Sequence, residues 1–312
     1  MKIEYHRTLI ADRVRVAAFH QALERVIVKG QSVVVDIGTG TGLLAFLAAK
    51  LGAKKVYAYE MAEIGAVAER LKTLNKLRNV ELIPGRSTEI IDPPRGDIVV
   101  TETLGNFALE EFLVETMNDA RTRHVKPGGV LIPGDVGQFV APVTGSRLHD
   151  ELTAWDRIGY GLDFSPARVM SLNNVYIRSI QPAELLDKGT SAVRWDHADF
   201  SQPNRMARKG DAQWTMTKAT TVYGLGIWWQ ASLAAGLALT TSPLAAPTHW
   251  EQLFFPALEP LHLEAGEKLL AEIRTKSSEE AGTDIAWALA IINAKGRERG
   301  RQALSLTKGF LP

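Results

Sequence analysis

Apolar runs of strand length alternate with helix-like segments over the first 140 residues. The strand-like runs lie at 32–37, 55–59, 80–83, 97–101 and 130–133, and the helix-like segments at 42–51, 64–77 and 109–124. Strands that alternate with helices in this way are typical of a parallel sheet with helices on both faces. We therefore predict a doubly wound, Rossmann-like α/β domain over residues 1–140.

The pattern changes in the rest of the chain. After residue 190, apolar and polar positions alternate, as in strands that bury only one face. The β-rich runs include 213–221, 224–233 and 268–275, whereas 155–186 is less regular, with short helix-like pieces among prolines and glycines. These features predict a second, β-rich domain over residues 141–312.

Composition excludes several classes of function. The chain has 36 basic and 35 acidic residues, so no strong overall field attracts nucleic acid or a membrane surface. Cysteine is absent, which excludes disulfides, thiolate metal sites and a cysteine nucleophile, and we predict no metal site. Residues 1–7 lack the apolar core of a signal peptide, and no apolar stretch approaches the roughly 20 residues that span a bilayer. We expect a cytoplasmic protein without nucleic-acid or membrane partners.

A glycine-rich turn follows the first strand-like run. Glycines in such a turn allow backbone N–H groups to approach a ligand closely. Along the chain, the residues of interest are Asp36 at the strand end, then Gly38, Gly40 and Gly42 in the turn, and then Glu60. The glycine spacing differs from the dinucleotide fingerprint, and Glu60 ends the next strand, where a carboxylate can bind ribose hydroxyls. This arrangement indicates a nucleoside site without a pyrophosphate, which fits S-adenosylmethionine better than NAD.

Two acidic residues frame a loop after the run at 97–101. Glu102 directly follows this run, and Glu111 comes nine positions later. Carboxylates at the carboxyl end of a parallel strand lie where α/β sheets bind ligands, and a converging pair suits a forked cation such as a guanidinium. From this segment alone a second interpretation is equally open, in which Glu102 caps a turn while Glu110 and Glu111 begin the next helix.

These motifs together resemble the protein arginine methyltransferase family, a branch of the class I S-adenosylmethionine-dependent methyltransferases. The segment 242–250, Ser-Pro-Leu-Ala-Ala-Pro-Thr-His-Trp, matches the family's threonine-histidine-tryptophan loop, and Tyr160-Gly161, Pro182 and the turn at 263–267 extend the likeness over nearly the whole chain. The resemblance implies a β-barrel-like second domain and methyl transfer to a guanidinium nitrogen of arginine.

The resemblance also implies roles for single residues. Those implied to bind the cofactor are Arg15, Asp36, Gly38, Gly40, Thr41, Gly42, Glu60, Ser87, Thr88 and Glu89. Arg15 would bind the methionine carboxylate, and Thr88, followed by Glu89, stands where the family has the glutamate that contacts adenine.

For the substrate, Glu102 and Glu111 would hold the guanidinium, with a pair formed by His249 and Asp12 beside them. Trp250 would form part of the pocket wall. Glu111, or the pair of His249 and Asp12, would accept the proton that the substrate loses.

Several positions depart from the family pattern. Thr103, Leu104 and Asn106 replace the usual tryptophan, methionine and tyrosine, and Leu9 and Leu113 stand where methionines usually border the methyl site. The family has an extra helix whose paired tyrosine and phenylalanine residues cover the cofactor and substrate, whereas Tyr5 is the one such aromatic residue ahead of His6 here. The acceptor is therefore open between arginine in a protein, arginine in a peptide, and a free guanidino compound.

Two other functions remain open on the sequence. One is methyl transfer to an unrelated small-molecule nucleophile, and the other is a noncatalytic module that binds S-adenosylmethionine. The segment at about 155–186 also resembles the family's dimerisation arm. Because Leu162, Phe164 and Val169 would otherwise face water, we predict a homodimer.

Overall fold

The computed structural model describes residues 3–234, 236–278 and 282–309. Its first part contains helices α1 (Ile3–Ala11), α2 (Arg13–Val26), α3 (Leu43–Lys50), α4 (Gly65–Leu74) and α5 (Leu113–Asp119), with strands β1 (Val33–Ile37), β2 (Lys55–Glu60), β3 (Val80–Pro84), β4 (Gly96–Thr101) and β5 (Val125–Ile132). The five strands pair in parallel in the order β3-β2-β1-β4-β5, which confirms the predicted α/β fold. The carboxyl ends of β1, β2 and β4 meet at one edge of this sheet.

The last helix predicted in this part of the chain begins later than the pattern indicates. Helix α5 starts at Leu113, because Ala108, Glu111 and Phe112 have φ values of 63°, 53° and 60°. Such angles lie outside the right-handed helical region. The interpretation in which Glu110 and Glu111 begin the helix is therefore wrong.

The second part is antiparallel. It contains strands β6 (Asp135–Val143), β7 (Tyr176–Arg178), β8 (Val193–Asp199), β9 (Ala207–Thr215), β10 (Thr220–Ala234), β11 (Leu237–Thr240), β12 (Gln252–Leu263), β13 (Lys268–Ser278), β14 (Gly282–Ile292) and β15 (Glu298–Ser305). One sheet has the order β7-β12-β10-β6-β8 with β11 on β10, and the other has the order β15-β14-β13-β9. The strand predicted at 213–221 is wrong as one element, because it covers the end of β9, a turn and the start of β10.

The chain passes from the parallel to the antiparallel sheets between Ile132 and Asp135, ahead of the division placed at residue 140. Helix α6 (Arg147–Leu152) lies before the irregular segment at 155–186, and α7 (Ser165–Leu172) lies within it, together with short 3-10 turns. One cluster of buried apolar side chains runs from α2 and the parallel sheet through the loop after β4 into both antiparallel sheets. This shared core fixes the loop against residues far along the chain.

No helix within the described ranges is long and apolar enough to cross a membrane.

Candidate active site

A cavity of about 480 Å³ opens at the carboxyl ends of β1, β2 and β4. This is the edge at which open α/β sheets bind ligands, beside the point where the strand order reverses. The predicted site residues in its wall are Leu9, Arg15, Asp36, Gly38, Gly40, Thr41, Glu60, Ser87, Thr88, Glu102 and Glu111. The fold therefore brings together the glycine-rich turn and both glutamates of the loop.

Other predicted site residues lie outside this wall: Asp12, Gly42, Glu89, Leu113, His249 and Trp250. Leu113 is fully buried in the core, and Glu89 is exposed to solvent. Gly42 faces inward, where an added Cβ would lie 2.3 Å from the ring of Phe46. Leu113 and Gly42 thus lie against other side chains of the fold and Glu89 lies at the surface, all three outside the cavity wall.

Asp36 holds the glycine-rich turn in shape. Its Oδ2 atom accepts hydrogen bonds from the Thr39 hydroxyl at 2.6 Å and from the Ala45 backbone N–H at 3.0 Å. Burial raises the pKa of Asp36 to about 6, and these two hydrogen bonds oppose the rise. Asp36 therefore acts on the backbone of the turn, at the start of α3.

Two glycines of this turn leave room that a side chain would fill. Gly38 has a φ of 74°, and an added Cβ would lie 2.9 Å from Cγ2 of Thr103. Gly40 has a φ of 57°, and an added Cβ would lie 3.3 Å from the ring of His6. Only glycine adopts such angles without strain, so the turn forms a cradle of bare backbone.

Glu60 closes the cradle at the end of β2. Its carboxylate accepts the backbone N–H of Gly40 at 2.8 Å and that of Ala62 at 2.8 Å. The side chain is thereby held in the cavity wall, at a strand end where a carboxylate can accept ribose hydroxyls.

A 3-10 turn at Ser87–Glu89 borders the cavity, and Arg123 holds it in place. The Arg123 guanidinium donates to the carbonyl oxygens of Ser87 at 2.9 Å, Thr88 at 2.8 Å and Ile90 at 2.7 Å. Arg123 was not predicted from the sequence, because a basic residue near the end of a helix carries no signal that it reaches another turn.

Arg15 and Glu102 form a buried ion pair in the wall. Arg15 Nε donates to Glu102 Oε2 at 2.7 Å, and Nη2 donates to the same oxygen. Only 7% and 5% of the two side chains are exposed. Burial raises the pKa of Glu102 to about 7, while Arg15 opposes the rise and Glu111 adds to it. Arg15 is thus a partner of Glu102 as well as a predicted cofactor residue.

The two acids at the other end of the loop have different positions. Glu110 turns back, and its Oε2 accepts the backbone N–H of Phe107 at 3.2 Å. Glu111 instead lines the cavity and is exposed. Partial loss of hydration, with repulsion from Glu110, raises the pKa of Glu111. Only one of these neighbouring carboxylates can therefore face Glu102 across the cavity.

Asp12 and His249 form a pair behind the wall. Asp12 Oδ1 accepts the Arg15 backbone N–H at 2.9 Å and caps α2. Its Oδ2 lies 2.8 Å from both the backbone N and Nδ1 of His249. Burial opposes ionisation of Asp12, but the hydrogen bonds from Arg15 and His249 lower its pKa overall. Burial also lowers the pKa of His249. Because the Asp12 carboxylate only accepts hydrogen bonds, His249 donates to it from Nδ1.

Trp250 also lies behind the wall. Its indole Nε1 donates to the Leu104 carbonyl oxygen at 2.8 Å, and its ring lies 3.9 Å from the His249 ring, centroid to centroid. The predicted loop thus supports the wall from the second part of the chain. It contacts the site through Asp12 and Leu104.

Further residues without a role predicted from the sequence complete the wall, including Tyr5, His6, Thr103, Phe112 and Glu115. Tyr5 and His6 belong to α1. This helix reaches the glycine-rich turn only in the folded chain, so the sequence does not predict the contact. Among the residues that the structure describes, no group of three histidine or acidic side chains is arranged to bind a metal ion.

Comparisons with known proteins agree with this arrangement. Residues 137–290 match the family model described as the arginine methyltransferase oligomerization subdomain. Residues 18–135 match the model of the ribosomal protein L11 methyltransferase (PrmA). The two matches follow one another along the chain and meet where the parallel sheet ends.

Curated relatives match over nearly the full length. Protein arginine N-methyltransferase 1 of Schizosaccharomyces pombe is 28% identical over 319 residues, covering 96% of this chain and 89% of the relative. Its counterpart in Chlamydomonas reinhardtii is 27% identical, covering 91% of this chain and 84% of the relative.

Two solved structures share the fold. One is the Trypanosoma brucei PRMT1 enzyme–prozyme heterotetrameric complex with AdoHcy, with a TM-score of 0.85, 23% identity, and coverage of 97% of this chain and 98% of that chain. The other is Arabidopsis thaliana protein arginine methyltransferase 10 in an open conformation, with a TM-score of 0.82, 23% identity and 98% coverage of both chains. Both the parallel sheet and the antiparallel sheets are therefore features of arginine methyltransferase structures.

Proposed function

The chain belongs to the protein arginine methyltransferase family, and from this premise we propose that it transfers a methyl group from S-adenosylmethionine to a guanidinium nitrogen of arginine. The acceptor is arginine in a protein or peptide, or a free guanidino compound. One observation carries the proposal: Glu102 and Glu111 line the same cavity as the glycine cradle and Glu60.

The residues of the cavity fit S-adenosylmethionine. The bare backbone at Gly38 and Gly40 allows close approach, and the Glu60 carboxylate lies beside it for the ribose hydroxyls. Ser87 and Thr88 border the same cavity and would face the adenine. Arg15 supplies a cation for the methionine carboxylate. When bound, this cofactor supplies a methyl group on a positively charged sulfur.

The two glutamates would bind and orient the acceptor. A guanidinium is protonated at any relevant pH, and its planar N–H groups match carboxylates in paired contacts. Binding by Glu102 and Glu111 draws positive charge toward the contacted nitrogens and leaves one nitrogen free to react. Fixing that nitrogen in position accounts for a large part of the rate enhancement that such a site can give.

We further propose that Glu111 holds the proton that the acceptor nitrogen loses. Glu102 is already paired with Arg15, and His249 lies outside the cavity wall. Glu111 lines the cavity, is exposed to solvent, and has a raised pKa. It can therefore take up a proton and pass it to water.

The proposal is tested by incubating the purified protein with methyl-labelled S-adenosylmethionine and two sets of acceptors. One set contains arginine-rich peptides, and the other contains free arginine and small guanidino compounds. Mass spectrometry identifies the product. Methylated guanidinium in either set supports the proposal and identifies the acceptor class, whereas transfer only to nucleophiles without a guanidinium contradicts it.

We predict that kcat/KM rises as the pH increases through about 7 and then levels off. The pKa of Glu102 is raised to about 7 by burial, and only its ionised form can pair with a guanidinium. Because kcat/KM reports ionisations of the free enzyme, the inflection appears in its pH profile. A profile that is flat between about pH 6 and about pH 8 would contradict this assignment.

We propose that the chain forms a homodimer through residues 155–186. The matched oligomerization subdomain includes this segment. Tyr160 is 95% exposed, Leu162 60% and Ile158 44%, which leaves an apolar surface facing water. Phe164 does not add to this surface, because its ring stacks on Trp155 of the same chain with centroids 6.2 Å apart.

A Leu162→Asp variant is expected to be monomeric at micromolar concentration, because a buried charge without a partner opposes association. Light scattering coupled to size-exclusion chromatography measures the mass. Leu244→Asp serves as the matched control, since Leu244 is also exposed, at 53%, but lies outside the segment. Equal masses for the two variants and the wild type would count against this interface.

A further inference from the structure

The loop between Glu102 and Glu111 is strained. Its backbone doubles back so that the Ala108 N–H donates to the Gly105 carbonyl oxygen at 2.9 Å. Ala108, Glu111 and Phe112 all have positive φ values, which are unfavourable in residues with side chains. Such a conformation persists only where surrounding structure fixes it. The residues that fix this loop therefore decide where Glu111 points.

Two side chains of the antiparallel sheet form hydrogen bonds with the backbone of this loop. Trp229 on β10 and Gln138 on β6 lie directly opposite each other in the strand register, and both are fully buried. Trp229 Nε1 donates to the Gly105 carbonyl oxygen at 3.1 Å, and Gln138 Nε2 donates to the Phe107 carbonyl oxygen. Together they hold two carbonyl groups of the strained turn. Gln138 lies 31 residues from its partner in sequence, and Trp229 lies 124 residues from its partner.

Gln138 is a costly residue for this position. Its Oε1 atom is buried and has no hydrogen-bond partner among the described residues. An unpaired buried acceptor destabilises a fold, and an apolar side chain of similar size would avoid that cost. The benefit of Gln138 therefore lies in the one bond that its amide N–H makes to the loop.

We propose that Trp229 and Gln138 are positioning residues for methyl transfer. By holding Gly105 and Phe107, they fix the separation between the carboxylates of Glu102 and Glu111, and thus the geometry in which a guanidinium is held. This inference rests on the proposed function for its kinetic consequence. The restraint on the loop itself is independent of the reaction.

Trp229→Phe and Gln138→Leu test the proposal, since each removes a hydrogen bond to the loop and keeps most of the buried volume. Trp214→Phe is the matched control. Trp214 lies in the same antiparallel part of the chain, is 5% exposed, and donates from Nε1 to the Ser191 carbonyl oxygen at 2.8 Å, away from the loop. Each variant loses one side-chain hydrogen bond to a backbone carbonyl oxygen.

We expect kcat to fall about tenfold or more in Trp229→Phe and Gln138→Leu, because small displacements of reacting groups are costly in rate. The dissociation constant of S-adenosylmethionine should stay within about twofold, since neither residue lines the cavity. Hydrogen exchange should quicken at the amides of Ala108 and Leu109, which donate within the turn. Trp214→Phe should show neither change at an equal folded fraction.

The proposal is overturned if both variants keep the kcat of Trp214→Phe, or if exchange in the loop is the same in all three proteins. Should Trp229→Phe fail to fold, Gln138→Leu decides alone, because it removes an unpaired buried oxygen and is expected to keep its melting temperature. If the wild type methylates no guanidino acceptor, the proposed function fails, and loop exchange still decides whether these residues restrain the loop.

Discussion

A Glu111→Gln variant is expected to lose about 10²–10³-fold in kcat/KM while still binding S-adenosylmethionine. The substitution keeps the size of the side chain but removes the charge opposite Glu102. The acceptor guanidinium then loses one of two carboxylate partners, and the cavity loses the group that we assign to hold its proton. Steady-state kinetics and calorimetric titration of the cofactor measure the two effects separately.

Glu115→Gln is the matched control for this variant. Glu115 lines the same cavity on the first turn of α5, and it is also exposed. Losing a solvent-exposed carboxylate is worth at most about 1 kcal/mol, so kcat/KM should change less than about fivefold. If Glu111→Gln and Glu115→Gln have equal effects, the assignment of Glu111 to the acceptor is wrong.

The second large effect is expected for Arg15→Gln, which should reduce both stability and methyl transfer. It leaves the Glu102 carboxylate buried without its cation, and breaking a buried ion pair in this way costs about 3–5 kcal/mol. The pKa of Glu102 should rise further, since Arg15 now opposes the rise caused by burial. The loss of stability should therefore be larger above neutral pH than below it, as measured by chemical denaturation.

A double variant separates the two consequences of this change. Adding Glu102→Gln to Arg15→Gln removes the unpaired charge, so most of the lost stability should return, while the lost methyl transfer should not. Stability that does not recover in the double variant would show that the ion pair is not the cause. Transfer that does recover would show that Glu102 does not bind the acceptor.

Much of the fold follows from local sequence patterns. The strand predicted at 97–101 is β4, and the glycine-rich turn and Glu60 lie at the carboxyl ends of β1 and β2 as expected. These elements depend on apolar runs and glycine positions within short stretches of the chain, so local sequence is enough to predict them. The strand predicted at 213–221 failed, because alternation continues through the turn between β9 and β10 and does not mark where a strand reverses.

The site was harder to predict where distant residues determine it. Glu110 and Glu111 are both acids in one loop, yet only Glu111 lines the cavity. Glu110 turns back to the Phe107 N–H. The family resemblance selected Glu111, but the sequence does not show why Glu110 turns away. His249 and Asp12 do pair, as the resemblance implies, but they lie behind the wall and not in it.

The sequence by itself determined the glycine cradle for the cofactor and the presence of two glutamates after β4. Both features lie in short continuous segments, so the order of their residues is enough to predict them. The tertiary structure alone decided how Glu111, and not Glu110, comes to line the cavity. That choice depends on a strained backbone, and hydrogen bonds from Gln138, Trp229 and Trp250 hold this backbone in place. Such bonds join residues that only folding brings together, so no local pattern records them.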